Sequence, residues 1–456
     1  MSHNSADPIK TYDIAIVGGG MVGATLACAL AGSNLKILLL DARAPTPFDS
    51  SQPHDLRVSA ISPASQTVLE NIGAWQGVVE RRLCPYRRMR VWETHGKGDT
   101  LFDAADIDRS GLGHIVENRI LQLALWQQLE QCDNITIHCP GVISKLEYNG
   151  TGTGVTDVVG VNPATNSTTS LLCEDGLRAR CRLLVAADGG QSQVREQVGI
   201  GVHSWSYPQQ ALVAHVRTGY PQQDITWQRF VPSGPQAFLP LNGQYGSVVW
   251  YNTPEQVTRL NALSDDAFIE EMCATFPAEL GQIDELLGRA SFPLRSQYAL
   301  DYVKPGVALV GDAAHMIHPL AGQGVNIGLL DAAELADQIN DALKDGEDWS
   351  ALPVLQRYQQ ARQQHNLLMM ASMDLFCRTF SNDNPPLRLL RNLGLELAQK
   401  VTPARNHAMK FAMGLVNQPA AIDVGLLGAI KDTVFRHSPF GPLPVIRLPK
   451  LAQPKG

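Results

Sequence analysis

Residues 12–41, YDIAIVGGGMVGATLACALAGSNLKILLLD, decide the fold of this chain. An apolar run opens the stretch and is followed, in the spacing G-x-G-x-x-G, by Gly18, Gly20 and Gly23. Small residues with helical periodicity come next, and a second apolar run ends at Asp41. This order predicts a strand, a phosphate-binding turn, a helix and a second strand.

A different structural requirement explains each of the three glycines. Gly18 permits a tight turn, Gly20 leaves room for a pyrophosphate, and Gly23 lets the helix pack closely on the sheet. Asp41 lies near the roughly 20-residue distance expected for a carboxylate that binds ribose hydroxyls, so the pattern predicts a dinucleotide site. Two alternatives stay open: a membrane span over residues 14–35, against which the glycines argue, and a glycine turn without nucleotide.

The composition is that of an ordinary globular protein of two or more domains, with 456 residues, 44% hydrophobic and 18% charged. A net charge of -7 does not indicate a nucleic-acid-binding protein. An arginine cluster at residues 81–90 is interpreted as a solvent-exposed face. The eight cysteines form no C-x-x-C pair, which predicts reduced thiols and no metal site. The first residues lack the apolar region of a signal peptide, so we expect a cytoplasmic location.

The pattern of apolar residues continues the α/β prediction. Ser62 before Pro63 predicts a helix start. Arg57, just upstream, is either half of a surface ion pair or a cation near the nucleotide. Further elements are predicted as strands at 89–102 around a turn at 96–99, a helix at 114–132 that Arg119 opens, and short strands at 135–182 interrupted by residues 149–170.

A second motif follows a predicted strand at residues 183–187. Asp188 and Gly189 end that strand, where open α/β sheets place ligand contacts, although an Asp-Gly pair also simply favours a turn. The sequence pattern then changes over residues 201–300, which are predicted to form strands with alternating aromatic residues and one helix at 260–276. They indicate a sheet domain inserted into the first, whose aromatic residues are mostly core, a few of them facing a pocket.

The third motif begins with a predicted strand at 307–310, which is followed by Gly311 and Asp312. A small-residue loop containing Pro319 leads to a helix from Val325, which again aims backbone N–H groups at an anion. Two such sites imply one extended ligand and a discontinuous domain. The remaining predictions are helices at 354–374, 387–400 and 407–415, and an apolar patch at 424–430 that covers a core, a partner or a lipid surface.

Together the three motifs resemble the flavoprotein aromatic hydroxylases of the para-hydroxybenzoate hydroxylase superfamily. The matching segments are GGGMVG (18–23), VAADGGQSQVR (185–195) and GDAAHMIHPLAGQGVNIGLLD (311–331). Within that superfamily the chain is most similar to ubiquinone-biosynthesis hydroxylases, through residues 55–62, 84–93, 116–126, 234–241 and 318–326. The CPYRR segment and residues 373–395 resemble the branch that acts on the demethoxy-ubiquinol intermediate.

The resemblance implies an α/β fold with a Rossmann-like FAD-binding domain of the glutathione-reductase type, an inserted antiparallel-sheet substrate domain and C-terminal helices. The FAD-binding domain would be discontinuous, with residues 11–84, 110–200 and 300–345. The substrate domain would comprise 85–109 and 201–299, and the C-terminal helical region and tail 346–456.

The resemblance also implies the roles of individual residues. The residues expected to bind FAD are Gly18, Gly20, Gly23, Asp41, Arg57, Arg119, Asp188, Gly311, Asp312, Pro319, Gly322, Gln323, Gly324 and Asn326. Most relatives have Glu at the ribose position, so the shorter Asp41 is a departure. The residues expected to act at the isoalloxazine ring, and so in catalysis, are Pro319, Gly322 and Gly324. His315 and His318 are interpreted either as a base or as hydrogen-bonded structure.

The implied reaction is hydroxylation of a prenylated quinol or phenol through a flavin C4a-hydroperoxide, with NADPH, NADH or another donor as reductant and O2 as co-substrate. Implied partners are other ubiquinone-biosynthesis proteins, the inner membrane face as a peripheral contact, and a second copy of the chain. The alternatives are hydroxylation of another ring position, an aromatic hydroxylase of an unrelated pathway, a halogenase or prenyl reductase, and a non-catalytic FAD-binding assembly subunit. The absence of W-x-W-x-I-P counts against a halogenase.

Overall fold

The structure is a computed structural model that describes residues 8–94, 99–149, 168–319, 322, 324–380, 406, 409–410 and 413–415. Its first elements are β1 (Lys10–Val17), α1 (Met21–Ala29), β2 (Ile37–Leu40), β3 (Val58–Ile61), α2 (Pro63–Asn71), α3 (Trp75–Val79), β4 (Cys84–Tyr86), β5 (Arg88–Glu93), β6 (Asp99–Asp103), β7 (Gly113–Glu117), α4 (Asn118–Leu129), β8 (Ile135–His138), β9 (Ile143–Tyr148), β10 (Thr169–Cys173) and β11 (Arg178–Ala186). They are followed by α5 (Gln193–Gln197), β12 (Val202–Thr218), β13 (Ile225–Val231), β14 (Gly234–Pro240), β15 (Tyr245–Asn252), α6 (Pro254–Ala262), α7 (Asp265–Thr275), β16 (Ile283–Ala299), β17 (Val303–Lys304), β18 (Val307–Leu309), β19 (His315–Met316), α8 (Gly324–Lys344) and α9 (Leu352–Phe380).

The first sheet has the strand order β17-β18-β11-β1-β2-β8. Strand β1 pairs in parallel with β2 and β11, and β18 pairs in parallel with β11. Ile14 and Ile37 face each other in this register and are completely buried, as expected for parallel strands covered on both faces. The predicted strand, turn, helix and strand of residues 12–41 are therefore confirmed.

The membrane-span alternative for residues 14–35 does not fit this arrangement. Helix α1 has only nine residues, and it connects β1 to β2, which pair with each other in one sheet. In the part of the chain that the structure describes, no helix combines the length and apolar character needed to cross a bilayer.

The second sheet has the strand order β19-β16-β12-β15-β14-β13-β5-β6 and is largely antiparallel, as predicted. Strand β5 joins it through a parallel pairing with β13. One face packs on α6 and α7, and its aromatic core includes Trp227 stacked on Phe238, with ring centroids 5.7 Å apart. The other face turns toward the third motif, because Tyr251 on β15 contacts Pro319.

Two helix predictions were wrong in their bounds. The helix predicted from residue 114 begins at Asn118, because residues 113–117 form β7 and pair with β3 and β4 in a small third sheet. The single helix predicted at 260–276 is two helices, α6 and α7. The break occurs where the Ser264 side chain accepts a hydrogen bond from Ala267 N and starts a new helix.

Other predictions are confirmed or lie outside the described residues. The Ser62 side chain caps α2 as predicted, and α9 contains the helix predicted at 354–374. Outside the described residues lie the turn at 96–98, nearly all of the 149–170 interruption, the 387–400 helix, the 424–430 patch and most of the 407–415 helix.

Candidate active site

The turn between β1 and α1 has the geometry that the three glycines predict. Gly18 has a φ of +105°, and a Cβ there would lie 2.3 Å from Ala187 O. A Cβ on Gly23 would lie 1.9 Å from Gly18 O, whereas a Cβ on Gly20 would meet nothing within 4 Å. Open space therefore lies at Gly20, beside the N-terminus of α1, where no side chain caps the first N–H groups.

Asp41 follows β2 and points back across this turn. Its Oδ2 accepts a hydrogen bond from Gly19 N at 2.7 Å, and its Oδ1 accepts one from Arg43 N at 2.9 Å. Each carboxylate oxygen has the capacity to accept one more hydrogen bond, so ribose binding by Asp41 is compatible with this geometry and stays a prediction.

Helix α4 holds the turn from the other side, through residues that the sequence analysis did not identify. Trp126 Nε1 and Gln122 Nε2 both donate to Gly19 O, at 2.7 and 3.0 Å. Their i, i+4 spacing on one helix face was the available signal, but only the fold shows that this face meets the glycine turn.

The two arginines expected to bind FAD differ in their surroundings. Arg119, in the first turn of α4, makes two bonds to Asp55, at 2.7 and 3.0 Å. The side chain of Arg57 is exposed, while its carbonyl accepts a hydrogen bond from Asn118 N at 3.0 Å. The structure thus places both arginines at the junction of β3 and α4, and their contact with a cofactor stays a prediction.

The Asp-Gly motif lies at the carboxyl end of β11. Asp188 Oδ2 accepts a hydrogen bond from Val194 N at 3.2 Å, and burial raises the pKa of this carboxyl. Its Oδ1 has no hydrogen-bond partner among the described residues. An acceptor atom held in this way at a strand's carboxyl end is suited to a ligand hydroxyl.

The buried Arg195 ties the second motif to the third. Its Nη1 donates to Ala313 O at 2.8 Å and its Nη2 to Gly190 O at 3.1 Å. Gln297 Nε2, from β16 of the second sheet, also donates to Gly190 O, at 2.6 Å. The carboxyl ends of β1, β11 and β18 are adjacent in the first sheet, so the three motifs meet at one edge.

The Gly311 turn is anchored by the buried Asp331 of α8. Gly311, with φ +59°, donates its N–H to Asp331 Oδ2 at 3.2 Å. Asp331 also pairs with His315, and its Oδ1 accepts from Arg362 Nε at 2.9 Å. Burial alone would raise the pKa of Asp331, but His315 and Arg362 outweigh it and lower the pKa to about 2. The His315 ring is therefore hydrogen-bonded to a buried carboxylate of α8.

Asp312 occupies a different environment from Asp331. Its side chain is exposed to solvent, although nearby protein atoms partly desolvate its carboxyl group. This desolvation raises the pKa of the Asp312 carboxyl, an effect that His315 partly opposes. Asp312 thus presents an exposed carboxyl group beside the Gly311 turn.

The small-residue loop before α8 lies between β3 and the second sheet. Pro319 O accepts hydrogen bonds from Gly322 N at 3.2 Å and from the Tyr251 hydroxyl at 3.3 Å. Gly322 has φ +63°, and Gly324, the first residue of α8, has open space where a Cβ would lie. Gln323 lies outside the described residues.

Asn326 fixes the start of α8 against β3. Its Oδ1 accepts from Ser62 N at 2.9 Å and its Nδ2 donates to Ala60 O at 2.7 Å. The side chain thus holds the loop in place, and a contact of Asn326 with FAD stays a prediction.

His318 lies between two tyrosines of the second sheet. Its ring stacks on Tyr251, with centroids 5.5 Å apart, and meets the Tyr207 ring edge-on at 4.6 Å. Burial lowers the pKa of His318 to about 4, so the imidazole is neutral at pH 7. The aromatic strands of residues 201–300 predict that a few aromatic side chains face a pocket, but their pattern does not single out Tyr207 and Tyr251.

Two other features lie away from this edge. A surface groove of about 900 Å³ contains none of the predicted site residues and is lined by residues such as Pro63, Gln66, Arg87, Arg109 and His114. His138, Cys173 and Asp175 bring possible metal ligands within 4.8 Å of one another. Burial raises the pKa of the Cys173 thiol to about 11, and a protonated thiol is a poor metal ligand.

The relation of this chain to known proteins agrees with the geometry. The family model of the FAD binding domain matches residues 152–372, and that of an NAD(P)-binding Rossmann-like domain matches 16–58. The 3-demethoxyubiquinol 3-hydroxylase of Escherichia coli (strain K12) is 42% identical over 403 residues, covering 88% of this chain and 98% of that protein. This chain belongs to the FAD-dependent ubiquinone-biosynthesis hydroxylases.

Other members and neighbours extend the comparison. The mitochondrial ubiquinone biosynthesis monooxygenase COQ6 of Homo sapiens is 34% identical to this hydroxylase, over 90% of this chain and 94% of that protein. The crystal structure of p-nitrophenol 4-monooxygenase PnpA from Pseudomonas putida DLL-E4 has a TM-score of 0.70 and 18% identity, covering 90% of this chain and all of that one. The latter likeness concerns the fold.

The hydroxylase is therefore an FAD-dependent monooxygenase of aromatic rings that uses a nicotinamide reductant and O2. The residues of the site fit this cofactor, because open space at Gly20, an unbonded acceptor at Asp188 and the turn at Gly311 lie along one sheet edge. When bound and reduced, FAD supplies the activation of O2. The protein binds the cofactor, orients the ring to be hydroxylated and excludes water.

Proposed function

We propose that this hydroxylase adds a hydroxyl group to the ring of a prenylated demethoxyubiquinol. The main support for this substrate is the sequence identity of 42% to the Escherichia coli 3-demethoxyubiquinol 3-hydroxylase, over 98% of that protein. The second candidate is hydroxylation of another ring position in the same pathway, which the similarity to COQ6 favours. An aromatic hydroxylase of an unrelated pathway and a non-catalytic assembly subunit are the remaining outcomes of the test.

The division of labour in the site is part of the proposal. The first glycine turn and Asp41 hold the adenosine half of FAD. Asp188, Gly311 and Asp312 hold its middle, and the loop at residues 319–326 holds the isoalloxazine ring. The loop's backbone and the N-terminus of α8 stabilise negative charge on the reduced ring. What supports this assignment is that the elements are tied together by Arg195, Asp331 and Asn326.

The domain division belongs to the proposal as well. A discontinuous FAD-binding domain of residues 11–84, 110–200 and 300–345 is supported by the pairing of β1, β11 and β18. A substrate domain of 85–109 and 201–299 is supported by the pairing of β5 with β13. A prenylated substrate dissolves in lipid, so we also propose peripheral contact of a cytoplasmic protein with a membrane face, together with contacts to other pathway proteins and to a second copy.

The test is expression of the chain in cells that lack their demethoxyubiquinol hydroxylase. We expect the purified protein to be yellow from FAD, and mass spectrometry to show the demethoxy intermediate converted to its hydroxylated product in an O2-dependent way. If a different intermediate is consumed, the second candidate replaces the first. If quinone intermediates stay unchanged while FAD is bound, the ubiquinone assignment is wrong.

A further inference from the structure

A pair of buried polar side chains lies at the centre of the second sheet. His215 on β12 and Ser247 on β15 are direct cross-strand partners, with 1% and 0% of their surfaces exposed. The side chains of such partners lie on the same face of a sheet, about 5 Å apart at Cβ. His215 and Ser247 therefore form one small polar site.

This pair lies on the face that turns toward the active-site loop. Leu212, Ala214 and Val216 of β12 pack in the core against α6 and α7, so the alternating His215 points to the opposite face. Tyr251, four residues beyond Ser247 on β15, shares that face and donates to Pro319 O. The pair is thus about 13 Å along the strand from the tyrosine that touches the loop.

The polar atoms of this pair are buried without hydrogen-bond partners in the part of the chain that the structure describes. Neither ring nitrogen of His215 nor Ser247 Oγ makes a hydrogen bond among the described residues. The His54 backbone lies close enough to His215 to raise its pKa, against the larger lowering by burial, but this contact does not have the geometry of an ordinary hydrogen bond. Burying unbonded polar groups is unfavourable, so three such atoms side by side indicate a hydrogen-bonding ligand.

His54 from the segment before β3 adjoins the pair. Its ring lies 5.1 Å from that of Tyr245, and its Nε2 has no hydrogen-bond partner among the described residues. Between the pair and Tyr251 lie Val213 and Val249, which are also cross-strand partners. The face thus has a polar end at His215, an apolar middle and the Pro319 loop at its other end.

A quinol ring has the complementary chemistry. A neutral imidazole offers one donor and one acceptor, and a serine hydroxyl offers both, which matches a ring hydroxyl. We propose that His215 and Ser247 hydrogen-bond a hydroxyl of the quinol substrate, with His54 beside them, and so orient the ring toward the Pro319 loop. This inference rests on the proposed function.

The test uses the FAD-loaded hydroxylase and the variants His215→Leu, His215→Gln and Ser247→Ala. His203→Gln is the matched control, because His203 lies on the same strand but is exposed. Each protein is titrated with a short-chain demethoxyubiquinol and with its methyl ethers, with binding followed by the visible absorbance of FAD. Turnover is followed as product formed per NAD(P)H consumed, and FAD content is measured alongside.

We expect His215→Leu to weaken quinol binding roughly tenfold or more, with smaller losses for Ser247→Ala and His215→Gln. In the unaltered protein one methyl ether should bind more weakly than the quinol, and His215→Leu should remove this difference. FAD content should stay unchanged, and His203→Gln should behave like the unaltered protein.

Failure of this inference and failure of the proposed function would give different results. If the unaltered protein hydroxylates the quinol but the variants keep its affinity and its discrimination against the ethers, the inference is wrong and the proposed function stands. If the unaltered protein neither binds nor hydroxylates the quinol, the proposed function fails and the inference falls with it. Loss of FAD from His215→Gln and Ser247→Ala alike would show a structural role and also overturn the inference.

Discussion

Substitution of Gly20 by alanine should separate cofactor binding from folding. Gly20 has φ -67° and ψ -175°, which alanine adopts freely, and a Cβ there meets no protein atom within 4 Å. We therefore expect the unfolding free energy of the FAD-free protein to change by less than about 0.5 kcal/mol. The added methyl group instead occupies the space proposed for the pyrophosphate.

The expected loss of affinity follows from the hydrogen bonds displaced. A hydrogen bond to a charged group contributes about 1.5–3 kcal/mol, so losing one weakens FAD binding roughly 10- to 150-fold. Gly23→Ala is the contrasting variant. Its Cβ would lie 1.9 Å from Gly18 O, which is backbone, so the fold itself should lose about 1–3 kcal/mol.

Both quantities are measurable on the same preparations. Urea unfolding of the FAD-free proteins gives the stability, and titration of FAD fluorescence gives the dissociation constant. Normal FAD affinity in Gly20→Ala would refute the placement of the pyrophosphate. Equal destabilisation of the Gly20→Ala and Gly23→Ala proteins would refute the assignment of separate roles to the two glycines.

Three further predictions concern stability and coupling. Asp331→Asn leaves the part-buried Arg362 without its carboxylate, so urea unfolding should show an unfolding free energy lower by about 3 kcal/mol, and an unchanged midpoint would contradict the network. The buried His215 has a pKa lowered to about 4. The unfolded state, with a histidine pKa near 6.5, binds more protons below that pH, so melting curves should show stability falling from pH 6.5 toward 4 by up to roughly 3 kcal/mol. A pH-independent melting temperature would oppose this. Tyr251→Phe removes the 3.3 Å bond to Pro319 O, so less product and more hydrogen peroxide should form per NAD(P)H, with FAD content as the control.

The first sheet could be predicted because its signals are local. The glycines at residues 18–23 and the apolar runs around them specify their conformations within a few neighbours. The bounds of α4 could not be predicted in the same way. Residues 114–117 satisfy both helical and strand patterns, and only their pairing with β3 and β4 selects the strand.

The candidate site likewise contains residues that local sequence predicts and residues that it does not. Its glycines and acidic residues follow from motif spacing, whereas Trp126, Tyr251 and His215 do not. Their positions depend on which helix face meets the glycine turn and on the register of β12 with β15. Register and helix contacts are set by residues far apart in sequence, which a single sequence does not specify.

The pairing of β11 with β18 also constrains how the protein is made. β18 follows β11 by more than a hundred residues, and α8, which anchors the Gly311 turn, comes later still. During synthesis the first glycine turn therefore emerges long before the rest of the FAD site exists. FAD stabilises only the folded state, so it assists this fold after translation has passed α8, and the nascent chain must stay soluble until then without it.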